Sequence, residues 1–397
     1  MSTLSSDDDD VESFFGANSS YPLQSNVWTP DDRSMGRAMV HHYQCHTLPS
    51  LQQQQQAACC SSSREETEQG GGSSSCNIPR LIHFIWLGNK PLPLTTTATT
   101  TTASNNNVVD IVDGENECIR SWRRHHPNWT IQVWRDDDLG VSKNTANNNQ
   151  PNQWFNAPAL QYALRHENYG MASDILRLEL LWEYGGIYVD IDYLCVDVMD
   201  DLHLHNDHFD FYCGASRTFA VEVNNGLLGA PRPHHFIIQR LMERIHTWFA
   251  AQQLRSSMAI QNQPPPADAL DVMAAFLDPA SRSTFQQVMT GAALVTDTDV
   301  IRHTGPGLLT TTLAQAIMMN DDSSSSSMSR VAIFPFHIFH PLPNSFRGHS
   351  NILQDEQQEL LEEHIVKGQT KAVHLWQCSW QHNRTTTDSS NDSNNAM

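Results

Sequence analysis

Residues 184–196 read YGGIYVDIDYLCV. A strand at the centre of a covered parallel sheet reads as an almost unbroken apolar run, and ionised carboxylates are costly there unless something pairs with them. Asp190 and Asp192 break the run two residues apart. If the strand continues through them, alternation places Ile187, Val189 and Ile191 on one face and Tyr188, Asp190 and Asp192 on the other. Two carboxylates then share a face at a buried strand end, and something must meet them.

The preceding stretch, ASDILRLELLWEYGG, has the pattern of a helix. Ser173 suits the N-cap, Asp174 suits the positive end of the helix dipole, and Gly185 with Gly186 supplies the stop. Ile175, Leu178, Leu181 and Trp182 form an apolar stripe, leaving Asp174 and Arg177, three apart, on a different face. The helix's polar face and the carboxylate end of the strand therefore border one crevice, where open α/β sheets bind ligands.

Three readings compete for the paired aspartates. A solvated turn is the ordinary fate of D-x-D in a loop. A glycosidase pair needs carboxylates flanking a bond at about 5–9.5 Å, and side chains pointing in parallel from one strand are badly placed for that. The third reading, a hard-cation site for Mg²⁺ or Mn²⁺ with positions left open for phosphate oxygens, explains the paired charges best. His374, in AVHLWQCSW, is a further ligand candidate, although a lone histidine among apolar neighbours is more often a core residue.

Outward from this region, IPRLIHFIWLG reads as a buried strand bounded by Pro79 and Gly88. ECIRSWRRHHPNW reads as a short helix carrying Cys118, Ile119 and Trp122, and TIQVW as the next strand. This β-α-β order implies a parallel sheet covered by helices. The 397-residue chain carries a net charge of −20 and shows no basic stripe, which argues against a nucleic-acid partner. No apolar run approaches the roughly 20 residues needed to span a bilayer, and MSTLSSDDDD lacks signal-peptide composition. The sequence as written is expected to be soluble and cytoplasmic. Eight cysteines without a CxxC pair indicate neither zinc nor redox chemistry.

Composition divides the chain into a low-complexity arm expected to be disordered (1–76), a folded domain with polar loop inserts (77–382) and a disordered tail (383–397). The inserts are TTTATTTTASNNN, NTANNNQPNQ, NQPPPAD and DDSSSSSMS.

IPRLIHFIWLG, CIRSWRRHHPNW, ASDILRLELLWEYGGIYVDID and AVHLWQCSW, in this order, resemble glycosyltransferase family 32 over roughly residues 77–382. That family includes Golgi mannosyltransferases and capsular polysaccharide transferases, and its core is similar to the large clostridial glucosylating toxins. The resemblance implies an α/β fold of GT-A type with a mixed, mostly parallel sheet. It implies metal-dependent retaining transfer of a hexose from a UDP- or GDP-sugar to a glycan, lipid or protein acceptor, with the departing phosphate as base. Asp190 and Asp192 match the metal and diphosphate motif, and Asp174 and Arg177 match donor-contacting positions. Ser173 and Tyr184 line the same segment, and Ile85 and Trp86 fall near the nucleotide base. Asn225, or alternatively Asn224, falls on an acceptor-side loop, while His374, Ser379 and Trp380 match a segment closing over the donor. A Golgi location also follows from the resemblance. An inactive nucleotide-sugar-binding protein and a glycoside hydrolase are the rival functions.

Overall fold

The structure, a computed structural model, describes residues 6–18, 22–24, 32–52, 79–88, 90–92, 116–140, 154–203, 209–260, 295–319, 328–347, 359 and 361–377. Ser379 and Trp380, the tail 383–397, three of the polar inserts and most of the fourth lie outside these residues.

The expectation of a disordered arm over 1–76 is corrected where the structure describes it. Ser6–Phe14 (α1) and Asp32–His42 (α2) pair with each other, and Val11, Phe15 and Met39 are fully buried in the main core. The acidic run suggested disorder, yet it occupies the first turns of α1, where negative charge is favourable, and faces α2 arginines. Arg37 lies 2.9 Å from Asp8, and Arg33 lies 3.7 Å from Glu12. The backbone N–H of Gln24 donates to the Phe219 carbonyl, tying the segment to the loop before a central strand.

Leu81–Ile85 (β1) and Thr130–Trp134 (β2) form the parallel pair expected of the β-α-β opening, with Glu117–His125 (α3) between them in sequence. Ala157–Arg165 (α4) then packs on Tyr169–Tyr184 (α5). α5 starts earlier than the sequence pattern indicated. Its N-cap is Asn168, whose side chain accepts the Met171 N–H, so Ser173 lies inside the helix. Nor does α5 present a polar face to water. Every residue from Ile175 to Leu181 is buried, as a helix enclosed on all sides requires. Glu179 accordingly points inward, accepting the Phe155 and Asn156 N–H groups at the start of α4.

Gly185 and Gly186 end α5 as expected. Gly186 adopts φ 91°, and an added Cβ would lie 2.4 Å from the Leu81 carbonyl oxygen. The chain turns there into Gly186–Val189 (β3), which continues through a turn into Tyr193–Cys195 (β4). Phe211–Ala215 (β5), Val223–Ala230 (β6) and Val331–Phe334 (β7) complete a six-stranded sheet of order β2-β1-β3-β6-β5-β7. β6 runs antiparallel to both neighbours and the other pairings are parallel, giving the mixed, mostly parallel sheet expected. Phe236–Ile260 (α6), Asp297–His303 (α7) and Pro306–Met319 (α8) join α4 and α5 in the larger core, to which Tyr188 contributes from β3. Ile187 and Val189 join α3 in the second core.

Ala372–His374 (β8) pairs antiparallel with β4 in a separate two-stranded sheet. Among the described residues no helix is long and apolar enough to cross a membrane.

Candidate functional site

The shared-strand-face reading of Asp190 and Asp192 is corrected in its geometry. β3 ends at Val189, Asp190 follows it, and Asp192 lies in the turn leading into β4. The carboxylates are brought together by this turn, and β8 delivers His374 to the same place, because Tyr193 and His374 are cross-strand partners. Asp190, Asp192 and His374 each offer a ligand atom, all within 4.8 Å of one another. His374 Nε2 lies 3.3 Å from Asp192 Oδ2, which also accepts the Gln377 N–H at 2.8 Å. The intervening Trp376 holds φ 55°, a strained value for a bulky residue, and so turns Gln377 back toward the aspartate.

Arg177 is the hub of the adjoining network. Its guanidinium lies 2.9 Å from Asp174 and 3.5 Å from Asp190, donates to the Asn225 carbonyl at 2.6 Å and to the Ser173 carbonyl at 3.1 Å, and stacks over Tyr188. The expected Asp174–Arg177 pair is thus buried. Asp174 also accepts from the Asn225 amide at 2.8 Å and the Thr304 hydroxyl at 3.0 Å. Asp190 accepts from the Tyr188 hydroxyl, and its backbone N–H is bound by the Gly226 carbonyl. Any larger residue at 226 would have to displace the Asp190 carboxylate, since a Cβ there would lie 2.6 Å from Asp190 Oδ2.

Burial pushes the Asp174 and Asp190 carboxyls above the ordinary range, against the pull of Arg177. Burial acts likewise on Asp192, but His374 and the Gln377 N–H outweigh it and leave this carboxyl below the ordinary range. Arg177 is held protonated because Asp190, Tyr188 and Asp174 together overcome its desolvation. Two carboxylates share one guanidinium, and the Asp192 carboxylate beside Asp190 adds to the excess of negative charge, which a divalent cation would balance. The donor set fits one. It comprises hard carboxylate oxygens and an imidazole whose Nδ1 is buried without a hydrogen-bond partner among the described residues.

Ile85 ends β1, parallel to β3, so it and Trp86 lie at the same sheet end as Asp190. Both are buried, and the Trp86 indole N–H donates to the Lys90 carbonyl. Tyr184 does not join the cluster. It lies ten residues beyond Asp174, about 15 Å along the helix, and its ring stacks on Trp134. The sequence reading passed over Thr304, His340 and the hydroxyls of Tyr188 and Tyr193. HTGPG, which carries Thr304, was a legible interruption between α7 and α8; nothing in FHIFHPLPN distinguished His340.

Residues 113–209 match the family model described as "Glycosyltransferase sugar-binding region containing DXD motif". Inositol phosphoceramide mannosyltransferase 3 of Schizosaccharomyces pombe is 26% identical over 165 residues, covering 42% of this chain and 36% of that protein. Inositol phosphoceramide mannosyltransferase 2 of the same yeast is 25% identical over 176 residues, covering 43% and 41%. The chain therefore spans about two fifths of the length of these relatives. Among solved structures, PaToxG glycosyltransferase aligns with a TM-score of 0.36 at 16% identity, covering 62% of this chain and 71% of that one. The UDP-bound glycosyltransferase domain of the YGT toxin aligns at 0.37 and 13%, covering 72% and 89%.

Proposed function

We propose that this chain, which carries a glycosyltransferase sugar-binding region with a DXD motif at residues 113–209, is a metal-dependent retaining glycosyltransferase moving a hexose from a nucleotide sugar to an acceptor hydroxyl. The observation that carries the proposal is the convergence of Asp190, Asp192 and His374 beside the buried Arg177. These three residues would hold Mn²⁺ or Mg²⁺. A cation so bound supplies Lewis-acid stabilisation of the diphosphate leaving group.

The chain's own groups do the remaining work. Arg177, locked by carbonyls and carboxylates, holds a positive charge beside the developing phosphate charge, where preorganised electrostatics act most strongly. Asp174 faces the donor sugar, and its position is fixed by Arg177, Asn225 and Thr304. With its oxygens engaged by these three partners, Asp174 is poorly placed as a covalent nucleophile. That favours attack by the acceptor on the leaving-group face, with a phosphate oxygen taking the acceptor proton. Ile85 and Trp86 border the nucleotide, and Asn225 links the donor network to the acceptor side.

The mannosyltransferase names of the two yeast relatives make a GDP- or UDP-linked hexose the first donor to try and a glycosylated or inositol-containing lipid the first acceptor. The deciding experiment incubates the full chain with a panel of UDP- and GDP-sugars, with Mn²⁺ or with EDTA, and measures released nucleotide. Release from one donor, abolished by EDTA, supports the proposal. Binding without release from any donor, with or without acceptor lipid, indicates the inactive sugar-nucleotide-binding alternative. A Golgi location is likewise a proposal, tested by imaging the tagged chain in cells.

A further inference from the structure

We infer that Tyr193 and His340 are positioning residues that orient His374 in the cation site; this rests on the reading of Asp190, Asp192 and His374 as a cation-holding group. A metal-binding histidine is ordinarily oriented by a hydrogen bond at its second ring nitrogen. Here Nε2 faces Asp192, and Nδ1 has no partner among the described residues. The single Nε2 contact leaves the imidazole free to tilt about it, and the ring contacts set its plane. The His374 imidazole is stacked on Tyr193, with centroids 4.4 Å apart and planes 9° apart, and Trp376 lies 4.1 Å away. Tyr193 thus sets the imidazole plane, provided its own ring is held still.

The hydrogen bonds around the Tyr193 hydroxyl show how it is held. Asn224 accepts from the Gly226 backbone N–H at 2.7 Å, and that group can only donate, so the atom facing it is the amide oxygen. The same oxygen faces the Tyr193 hydroxyl at 3.1 Å, so the single phenolic proton goes to Asn224. The remaining contact, 2.7 Å to His340 Nε2, then requires a hydrogen on that nitrogen, donated to the phenolic oxygen. Tyr193 is thereby clamped from two sides by buried residues, with the Asp190 carboxylate packed against Gly226 next to its hydroxyl. None of these three side chains needs to touch substrate. Their effect passes through the aim of His374.

The test is Mn²⁺ affinity of the full chain, read from the electron paramagnetic resonance signal of free Mn²⁺ without donor or acceptor. Tyr193→Leu, which removes the stacking ring, is expected to weaken Mn²⁺ binding at least about tenfold, as loss of an orienting partner does. Tyr193→Phe and His340→Leu each cut the clamp and should weaken it about threefold to tenfold; the double variant should be no weaker than either, because both remove one shared contact. Near-UV circular dichroism checks folding, and if Tyr193→Leu does not fold, Tyr193→Phe decides. Parent-like Mn²⁺ affinity in folded Tyr193→Phe and His340→Leu overturns the inference while leaving the cation site standing. Absence of Mn²⁺ binding by the parent chain overturns the cation reading itself, and the inference with it.

Discussion

His374 Nε2 sits 3.3 Å from Asp192 Oδ2, and the pairing of β4 with β8 is what brings them together. The separation in sequence is large. Gln377, which donates to the same carboxylate, is 185 residues from it. A cation held here therefore ties the C-terminal strand to the turn after β3.

Removing one ligand should expose that tie. His374→Ala and Asp192→Asn are each expected to weaken Mn²⁺ binding by at least the roughly 10–100-fold associated with losing an outer partner. Calorimetry of Mn²⁺ with donor present measures it. Unchanged affinity in both variants would remove these residues from the cation site.

Arg177 makes four polar contacts from a fully buried position, so Arg177→Lys cannot be conservative. A point charge cannot reach Asp174, Asp190 and two carbonyls at once, and each lost charged hydrogen bond costs about 1.5–3 kcal/mol. Both stability in urea and donor affinity should fall. A variant with parent-like donor affinity would reduce Arg177 to a structural ion pair.

Glu222 supplies a pH signature away from the site. Burial raises its carboxyl to about 7, against the pull of the Ser216 and Thr218 side chains. Because the folded value lies above the unfolded one, the native state keeps a proton between about pH 4.5 and 7 that the unfolded chain has released. Stability contributed by this group is therefore full below that window and lost as pH rises through it. Glu222→Gln should flatten this dependence and be more stable than the parent at pH 8, by on the order of 1–3 kcal/mol. Urea titrations at pH 5 and pH 8 measure both slopes, and identical slopes in the two proteins would exclude the assignment.

The N-terminal helices bear on stability, contrary to their sequence reading. Phe15 is fully buried, and Phe15→Ala should cost about 3–5 kcal/mol. Deleting residues 1–76 should lower the thermal midpoint as well, since Val221, directly before β6, would lose its packing against Gly36 of α2 and the core would lose Val11, Phe15 and Met39. A truncated chain melting with the parent would mean that these helices do not stabilise the core.

How much of this was legible in the chain differs from element to element. β1, α3, β2 and the Gly185–Gly186 stop were readable because each is written locally, in apolar runs, helical spacing and glycine punctuation. The resemblance to a glycosyltransferase family was readable too, from four stretches in fixed order, and residues 113–209 match a family model described as a glycosyltransferase sugar-binding region containing a DXD motif. The start of α5 was misplaced because a buried helix has no polar face to mark its boundary, and Ser173 looks like a cap wherever it lies.

The sequence by itself determined the chemistry available: paired carboxylates after a buried strand, an arginine one helix earlier and a histidine near the C-terminus. Tertiary structure alone decided how they meet. The aspartates converge through a turn rather than along a strand face, because β3 ends at Val189 and the Tyr193 N–H donates to the Asp190 carbonyl, closing a turn that carries Asp192. His374 arrives through strand pairing, and Thr304, Asn224 and His340 enter from elements distant in sequence. The acidic N-terminal run acquires its meaning only when α2 arginines and a waiting apolar surface are in place. Such contacts depend on burial and on pairing between remote segments, and a composition or a local period carries neither.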